Sequence, residues 1–305
     1  MPLFSNRIDN TLNSKSTFTG EVFDWLSSMH FDWEAKTTVK DSFELIEVRK
    51  NEKTVLVLKL IDLETWQNNG NLNESEIADF IINQSEIRSK GISIVTLWED
   101  IWYAKRGIVQ SRLNAILGIS QRIPGRVTQA RKLDKPTAND FLDKNHLQGS
   151  VSSKIRYGLF LPKRYFRVLN ADFQIDTGIE ELLVAVATFS HPRTFEREGK
   201  LYRSYELIRF SNLRNTTVVG GFDKLLRAFT EEYKPGDIMT YADLEWSDGT
   251  SYRRLGFEEI SDKDPVHFWL DPTLNVRYSE NRKPESDKLI EIYNAGSRKF
   301  VKTIH

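Results

Sequence analysis

The segment from Tyr241 to Tyr252 carries side chains of the kinds that transfer protons. It reads YADLEWSDGTSY, a strand that ends at Asp243, followed by a polar loop, Gly249 and a tyrosine. A carboxylate at the carboxyl end of a strand lies at the crevice where open α/β sheets bind ligands. A phenol such as that of Tyr252 can donate a proton to a developing anion. The alternative for this tyrosine is a packed ring whose hydroxyl is hydrogen-bonded.

Two adjacent glycines, Gly220 and Gly221, precede a segment whose apolar spacing predicts an amphipathic helix over Phe222–Tyr233. A glycine turn at a helix N-terminus lets backbone N–H groups approach a pyrophosphate closely. A Gly-Gly pair before a helix more often forms only a tight turn, so the pair indicates a phosphate site only together with other features.

Composition excludes several classes of function. The chain has 305 residues, which suggests about two domains, and it has no cysteine, which excludes disulfides and thiolate chemistry. No apolar run approaches the length of a membrane-spanning helix, and the first residues do not resemble a secretory signal, so we expect a cytoplasmic protein without a membrane partner. Lys+Arg and Asp+Glu are equal at 43 each, so overall charge indicates no partner.

Local charge is segregated along the chain. No carboxylate occurs from Ile101 to Leu133 or from Asn145 to Ala171, and both stretches are basic. This pattern predicts contact with a polyanion such as DNA, because Lys and Arg neutralise phosphates. The alternative is a solvated helix face and an ordinary basic hairpin. The predicted nucleic-acid-binding residues are Lys105, Arg106, Arg112, Arg122, Arg126, Lys154, Arg156, Lys163 and Arg164.

The first part of the chain predicts a small α/β domain over residues 1–122. Alternation predicts a hairpin from the strands Phe43–Arg49 and Thr54–Ile61. The other predicted elements are a short helix over Glu21–Met29, a helix over Glu74–Lys90, a strand over Ile92–Leu97 and a basic helix over Trp102–Leu117. The sequence Ile123-Pro-Gly-Arg indicates a linker.

Helices and strands alternate in the second part, residues 123–305, which predicts an α/β domain. We expect a helix over Thr137–Asn145, with Thr137 as its N-cap, and a helix over Asp248–Leu255 that ends at Gly256. Predicted strands are Tyr157–Leu161, Leu182–Phe189, Glu206–Phe210, Asp237–Tyr241, Phe257–Ile260 and His267–Leu270.

The sequence Tyr252-Arg-Arg-Leu-Gly-Phe-Glu resembles the unit that joins the last helix to the following strand in acyl-CoA N-acyltransferases of the GNAT fold. This resemblance implies a mixed-sheet α/β domain from about Arg126 onward. It also implies that Tyr252 donates a proton to the leaving thiolate.

The second half resembles, more specifically, a phage-associated GNAT-like family found in Mom-type DNA-modification proteins and in domains joined to phage homing endonucleases. The matching pieces are Ala138–Gly149, Tyr205–Phe210, Asn215–Gly221, Tyr241–Tyr252 and Ile292–Val301. The resemblance implies that one pocket receives the candidate catalytic residues His146, Glu206, Arg209, Asp243 and Tyr252. Alternatives are a helix C-cap for His146 and an ion pair with Glu206 or Asp243 for Arg209.

The pyrophosphate loop departs from the GNAT pattern. Thr217 stands where that pattern has a basic or amide residue, and Phe222 replaces a glycine. The candidate cofactor-binding residues are Thr217, Val219, Gly220 and Gly221. The resemblance implies acetyl-CoA, and the departure leaves another acyl donor or a lost cofactor open.

Ile92–Leu117 resembles the end of the very-short-patch-repair-like nuclease module of phage homing endonucleases. Such a nuclease holds a divalent metal, Mg²⁺ for example, with carboxylates on the preceding hairpin. Leu60 occupies the position expected for one metal carboxylate, which indicates a degenerate restriction-endonuclease-like site. Asp62, Glu99 and Asp100 are weak substitutes, and surface ion pairs are their alternative role.

These features predict a DNA-associated GNAT-like protein of phage or mobile-element origin, whose enzymatic form would be a nucleobase-modifying transferase. Three alternatives remain open at this point. They are a metal-dependent endonuclease of the homing type, a DNA-binding protein without catalysis, and an ordinary acetyltransferase.

Overall fold

The computed structural model describes residues 17–29, 32–37, 43–68, 87–176, 178–197 and 199–304. Most of the helix predicted over Glu74–Lys90 falls outside these ranges. The chain forms two compact units. The first comprises Met1–Arg106, Ala242–Asp248 and Asp262–Ser297, and the second comprises Gly107–Tyr241, Gly249–Ser261 and Arg298–His305. The domains predicted at residues 1–122 and 123–305 stay a prediction, and the first unit differs from them by including two later segments.

A four-stranded sheet forms part of the first unit. Its strands lie in the order β1-β2-β3-β4, and only β3 and β4 are parallel. The predicted hairpin is confirmed, with Asn51 and Glu52 at φ of 51° and 65° forming the tight turn. The strands are β1 Asp32–Thr37, β2 Glu44–Lys50, β3 Lys53–Ile61 and β4 Ser93–Trp98, and the helices are α1 Thr17–Ser27, α2 Leu63–Asn68 and α3 Glu99–Ile116, which continues into the second unit.

Late segments of the chain complete this unit. A three-stranded antiparallel sheet, in the order β15-β14-β16, comprises β14 His267–Asp271, β15 Val276–Tyr278 and β16 Ile290–Tyr293. Leu270, Ile290 and Ile292 share one buried cluster with Phe43 and Trp98. The core of the first unit therefore contains residues from both ends of the chain.

The second unit is built around a mixed sheet in the order β13-β17-β12-β10-β8-β7-β6, with β9 added beside β10. A separate parallel ribbon pairs β11 with β5. The elements are β5 Gln121–Pro124, β6 Gln129–Lys132, α4 Lys135–Asn145, β7 Ile155–Pro162, β8 Glu181–Phe189, β9 Arg193–Arg197, β10 Lys200–Asn212, β11 Thr216–Val219, α5 Gly221–Tyr233, β12 Asp237–Asp243, α6 Thr250–Arg254, β13 Glu258–Lys263 and β17 Ser297–Thr303.

Helices cover both faces of the mixed sheet. Successive residues of a strand point to opposite faces, and on β8 the side chains of Val186 and Phe189 do so. Val186 packs in a buried cluster with Phe141 of α4. Phe189 stacks on Phe229 of α5, with ring centroids 3.9 Å apart. The fold class is therefore the GNAT-like mixed-sheet α/β arrangement that the sequence predicts, and Leu255-Gly256-Phe257 joins α6 to β13 as expected.

Two local predictions are wrong. The segment predicted as a linker forms β5 and a 3-10 turn over Gly125–Val127, and Ile123 is fully buried. The N-cap of α4 is Asp134, whose carboxylate accepts a hydrogen bond of 2.7 Å from the N–H of Thr137. Proline is tolerated in the first turn, so Pro136 lies inside this helix rather than before it.

Candidate functional site

The mixed sheet divides between two neighbouring parallel strands, β10 and β12. Their pairing runs only from Ser204 with Asp237 to Glu206 with Met239. Beyond it a β-bulge between Leu207 and Arg209 shifts the register of β10 against β8, which bends the strand. Since the carboxyl ends of parallel strands face the same way, this division is where an open sheet accepts a ligand.

The N-terminus of α5 lies beside β10 just past this bulge, where Phe222 in the first turn stacks on Phe210 with ring centroids 4.5 Å apart. Gly220 is the N-cap at φ 74°, a left-handed conformation that favours glycine. At Gly221 an added Cβ would lie 2.7 Å from Cγ1 of Val218, so the chain turns too tightly for a side chain. The first-turn N–H groups of a helix lack intrahelical partners and can bind an anion. The predicted glycine turn is thus confirmed as a helix start, and its role in cofactor binding stays a prediction.

A basic residue lies beside Thr217, the position at which the GNAT pyrophosphate pattern has a basic or amide residue and this chain has a threonine. In the parallel ribbon Arg122 of β5 pairs with Thr217 of β11, and Thr217 Oγ1 is 2.6 Å from Ser120 Oγ. Ile123 and Val218 point into the core, so Arg122, Thr217 and the 43% exposed Val219 share the outward face. The sequence does not predict this neighbourhood, because Ile123-Pro-Gly-Arg has the composition of a linker and overlaps the end of β5.

A second contact joins β5 to the glycine turn. An added Cβ on Gly125 would lie 2.6 Å from the carbonyl oxygen of Val219 and 3.1 Å from the nitrogen of Gly221. The 3-10 turn that contains Arg126 therefore packs directly against the start of α5. Arg126 is exposed there, as is Arg122.

Tyr252 lies at the same place, in a cluster of rings. Its ring centroid is 5.9 Å from that of Phe222 in the first turn of α5, and 5.7 Å and 5.5 Å from those of Phe257 and Phe300. Burial raises the pKa of Tyr252, while a hydrogen bond with Thr240 and the charges of Arg112 and Arg209 lower it. The phenol is therefore neutral at physiological pH and carries a proton that it can donate.

Gly249 positions α6 and with it Tyr252. It is the N-cap of α6 at φ 82°, and a Cβ would lie 2.1 Å from Cζ of Phe300. Only glycine combines this backbone conformation with this close approach of a ring. Gly249 thus allows α6 to begin where it does, and α6 in turn positions Tyr252.

His146 forms the C-cap of α4, which was the predicted alternative to a catalytic role for this residue. Its backbone N–H bonds to the carbonyl of Leu142 at 2.8 Å, and its Nδ1 accepts a hydrogen bond of 3.1 Å from the N–H of Gln148. Burial, together with the charges of Arg112 and Arg209, lowers the pKa of His146 to about 3. A neutral imidazole that accepts at Nδ1 carries its proton at Nε2. His146 therefore presents an N–H donor, and its low pKa makes it a poor base.

Arg209 lies beside the loop that follows His146. It pairs with Thr188 of β8, and its guanidinium donates to the carbonyl oxygens of Gly149 at 3.3 Å and Ile208 at 2.9 Å. The positive charges of Arg112 and Arg209 lower the pKa of both His146 and Tyr252. Sequence reasoning assigned Arg112 to DNA binding and did not place it here, because nothing local links α3 to β10.

The other two candidate catalytic residues lie elsewhere on the same strands. Glu206 is the last residue of β10 that pairs with β12, and its N–H donates to Ser190 Oγ at 2.9 Å. Asp243 ends β12, and its carboxylate accepts from the N–H of Glu245 at 3.0 Å. Asp243 belongs to the first unit, whereas Tyr252 and Glu206 belong to the second. A shared catalytic role for the five residues stays a prediction.

The basic stretches receive acidic partners from distant parts of the chain. Arg106 forms an ion pair with Glu21, and Lys163 forms one of 3.1 Å with Glu180. Lys105, Arg112 and Arg156 are only partly exposed. The candidates that remain exposed and outside these pairs are Arg122, Arg126, Lys154 and Arg164. Their contact with nucleic acid stays a prediction.

The weak metal candidates have structural partners. Asp62 Oδ1 accepts from the N–H of Thr65 at 2.8 Å at the start of α2, and Glu99 Oε2 accepts from the N–H of Leu63 at 2.8 Å. Asp100 forms an ion pair with Arg277. Among the described residues no group of three or more His, Asp or Glu side chains is arranged to hold a metal, and Leu60 is buried in the core.

A buried carboxyl group in the first unit makes stability depend on pH. Glu245 is 6% exposed, and its Oε1 accepts from Trp98 Nε1 at 2.7 Å. Burial, then the charge of Asp243, raises the pKa of Glu245 to about 8, against the opposing effect of Arg277. The folded chain therefore holds a proton that the unfolded chain, with an ordinary carboxyl pKa, releases.

We expect the free energy of unfolding to fall as pH rises from about 6.5 to about 8, by up to about 1.4 kcal/mol per pH unit. Below about pH 6.5 the low pKa of folded His146 acts in the opposite direction, because there the unfolded chain binds a proton that the folded chain does not. The Glu245→Gln variant keeps an acceptor for Trp98 but cannot titrate, so this slope should disappear. Urea unfolding at several pH values measures it. The exposed Glu259→Gln control should retain the slope; equal slopes in wild type and Glu245→Gln would refute the assignment.

No helix among the described residues is long and apolar enough to cross a membrane. No family model matches the chain, and no curated protein matches its sequence.

Several solved structures are similar to part of the chain. The NatC complex bound to Gag peptide and CoA has 9% sequence identity and a TM-score of 0.33, and the match covers 58% of this chain and 99% of that one. Arabidopsis thaliana NAA60 in complex with a bisubstrate analogue has 11% identity, a TM-score of 0.34 and the same coverage of 58% and 99%. The AtaT toxin bound to the C-terminus of the antitoxin AtaR and acetyl-CoA has 12% identity and a TM-score of 0.27, covering 55% and 93%. At these TM-scores the similarities carry no conclusion, and the GNAT-like assignment rests on the mixed sheet and on the junction between α6 and β13.

Proposed function

We propose that the chain is a GNAT-like N-acyltransferase that uses an acyl-CoA donor. The observation that carries this proposal is the position of Tyr252, whose neutral phenol contacts the first turn of α5 beside the division between β10 and β12. A helix N-terminus suits the donor's pyrophosphate, and a protonated phenol next to it suits the departing sulfur.

The proposed reaction is acyl transfer from sulfur to nitrogen. The acceptor amine attacks the thioester carbonyl, the C–N bond forms and the C–S bond breaks. Tyr252 gives its proton to the departing thiolate, and the proton lost by the acceptor nitrogen passes through solvent and restores the Tyr252 phenol, so that the products are the amide and the CoA thiol. His146 acts as an N–H donor that orients the acceptor, since its low pKa disfavours a role as base. Arg122 and Arg126 supply the positive charge that Thr217 does not, next to the glycine turn.

The proposed acceptor is an amine of a nucleobase in DNA. Support comes from the exposed basic residues of the second unit, two of which, Arg122 and Arg126, adjoin the start of α5. Such residues bind phosphates regardless of sequence and would bring the duplex to the site. DNA incubated with the protein and acetyl-CoA, digested to nucleosides and examined by mass spectrometry, tests the acceptor. Unmodified bases alongside measurable CoA binding would remove DNA as the acceptor and retain the donor.

Donor binding provides a separate test of the glycine turn. We expect acetyl-CoA to bind in titration calorimetry, and Arg122→Ala to weaken binding about three- to tenfold, because a charge-assisted hydrogen bond to phosphate is lost. Lys144→Ala removes an equal charge from α4, where Lys144 pairs with Asp140, and should leave affinity unchanged. Absence of binding by the wild-type protein would contradict the proposed use of a CoA donor.

A further inference from the structure

The outward face of the β14 and β16 strands has an unusual composition. Phe268, Leu270, Ile290 and Ile292 face the core of the first unit. The alternate residues His267 and Trp269 on β14, and Glu291 and Tyr293 on β16, form the opposite face, with His267 paired to Tyr293 and Trp269 to Glu291. Tyr293 lies at the border of this face, since its side chain also packs against the core cluster. A solvent-facing strand surface is ordinarily polar, and this one combines three rings with carboxylates.

Two aromatic residues on this face donate hydrogen bonds to the carboxylates of Glu280 and Glu291. Trp269 Nε1 donates to Glu280 Oε2 at 2.6 Å, and the hydroxyl of Tyr293 donates to Glu291 Oε1 at 2.9 Å. His267 lies between them, with Nε2 3.1 Å from Glu291 and Nδ1 3.9 Å from Glu280. Its ring is 5.0 Å from Trp269 and 5.1 Å from Tyr293. The carboxylates are thus fixed beside aromatic rings.

A lysine of the chain itself already occupies part of this face. Lys283 Nζ lies 3.3 Å from the centroid of the Trp269 ring. Lys283 belongs to the segment 280–288, in which every residue is exposed. An exposed ammonium over an indole is stabilised only weakly, so a competing cation can displace it. The contact is an intramolecular example of an ammonium group bound on this ring.

We propose that this aromatic–acidic face, formed by His267, Trp269, Glu280, Glu291 and Tyr293, binds a lysine side chain of a partner polypeptide. The incoming ammonium takes the place of Lys283 on Trp269 and lies next to the fixed carboxylate of Glu280. Charge complementarity and the π face both select a cation, and the slender ammonium enters where Lys283 now lies. The face lies wholly within the first unit and does not depend on the proposed acyl transfer.

The test uses the full chain labelled with ¹⁵N, in which the indole N–H signal of Trp269 is assigned from the Trp269→Phe variant. A peptide with one lysine between glycines should shift this signal with millimolar affinity. The same peptide with norleucine in place of the lysine, which lacks the ammonium group, should not shift it. Lys283→Ala removes the internal competitor and should tighten binding about two- to fivefold. Glu280→Gln should weaken binding.

Lys288→Ala is the matched control, because it removes the same charge from the same exposed segment without uncovering Trp269. Its affinity should equal that of wild type. An equal gain for Lys283→Ala and Lys288→Ala would show an effect of net charge alone and overturn the proposal. A Trp269 signal that responds to neither peptide, or to both alike, would also overturn it.

Discussion

Tyr252→Phe should lower the rate of acyl transfer about a hundredfold or more and leave donor affinity unchanged. The variant loses only the hydroxyl, and its ring keeps the contacts with Phe222, Phe257 and Phe300 that pack α6 against its neighbours. Because burial raises the pKa of Tyr252, the wild-type enzyme should retain its protonated acid, and hence its rate, to a higher pH than an ordinary tyrosine would allow.

Transfer rates across pH, with acetyl-CoA affinity and melting temperature measured on the same samples, test this prediction. A matched control is Tyr165→Phe, since the ring of Tyr165 lies against Arg164 and Arg167 in the 3-10 segment Lys163–Val168. A Tyr252→Phe enzyme with wild-type rate would assign the proton transfer to another group. A loss of both rate and melting temperature would indicate a packing role instead.

Replacement of Arg277 by alanine should destabilise the first unit by about 3–5 kcal/mol. Arg277 bonds to both carboxylate oxygens of Asp100, at 2.6 Å and 2.8 Å, and Asp100 is fully buried. Without the guanidinium the carboxylate would remain in the core without its partner. The guanidinium also lies 5.1 Å from the Trp98 ring, so its loss removes a cation–π contact as well.

Urea unfolding measures this cost. Arg253→Ala breaks an exposed ion pair of 3.1 Å with Glu259, and it should cost at most about 1 kcal/mol. The double variant Asp100→Leu with Arg277→Leu should recover much of the lost stability, since no charge is then buried alone. If Arg277→Ala costs no more than Arg253→Ala, the Asp100 carboxylate is not held in the core as described.

Local pattern predicted most of the regular structure because burial imposes a period on each element. The hairpin of β2 and β3, the helix α5 after Gly220 and the junction at Gly256 were all readable from spacing and glycine positions. The parallel ribbon of β5 and β11 was not, since Pro124 and Gly125 look like a break and the partner strand lies far along the chain. Register between distant strands leaves no local signal.

Only part of the candidate site could be predicted, because contacts between distant segments leave no local signal in the sequence. Tyr252 and the glycine turn were found from their own neighbourhoods, and they do lie together. The nearness of Arg112 and Arg209 to His146 depends on how α3, α4 and β10 pack. Charge segregation along the sequence was likewise a poor guide to the distribution of charge in the folded chain. Glu21 forms an ion pair with Arg106, and Glu180 forms one with Lys163, so acidic residues outside the basic stretches contact residues within them.

The division of the first unit's core between the two ends of the chain has a consequence during synthesis. Phe43, Trp66 and Trp98 emerge from the ribosome long before Leu270 and Ile290, which complete their cluster. At roughly 5–20 residues per second, these early apolar side chains stay uncovered for on the order of ten seconds or more. We therefore expect the nascent chain to pass through a stage that exposes apolar segments of the kind chaperones bind, and a fragment that ends after α3 should expose them permanently.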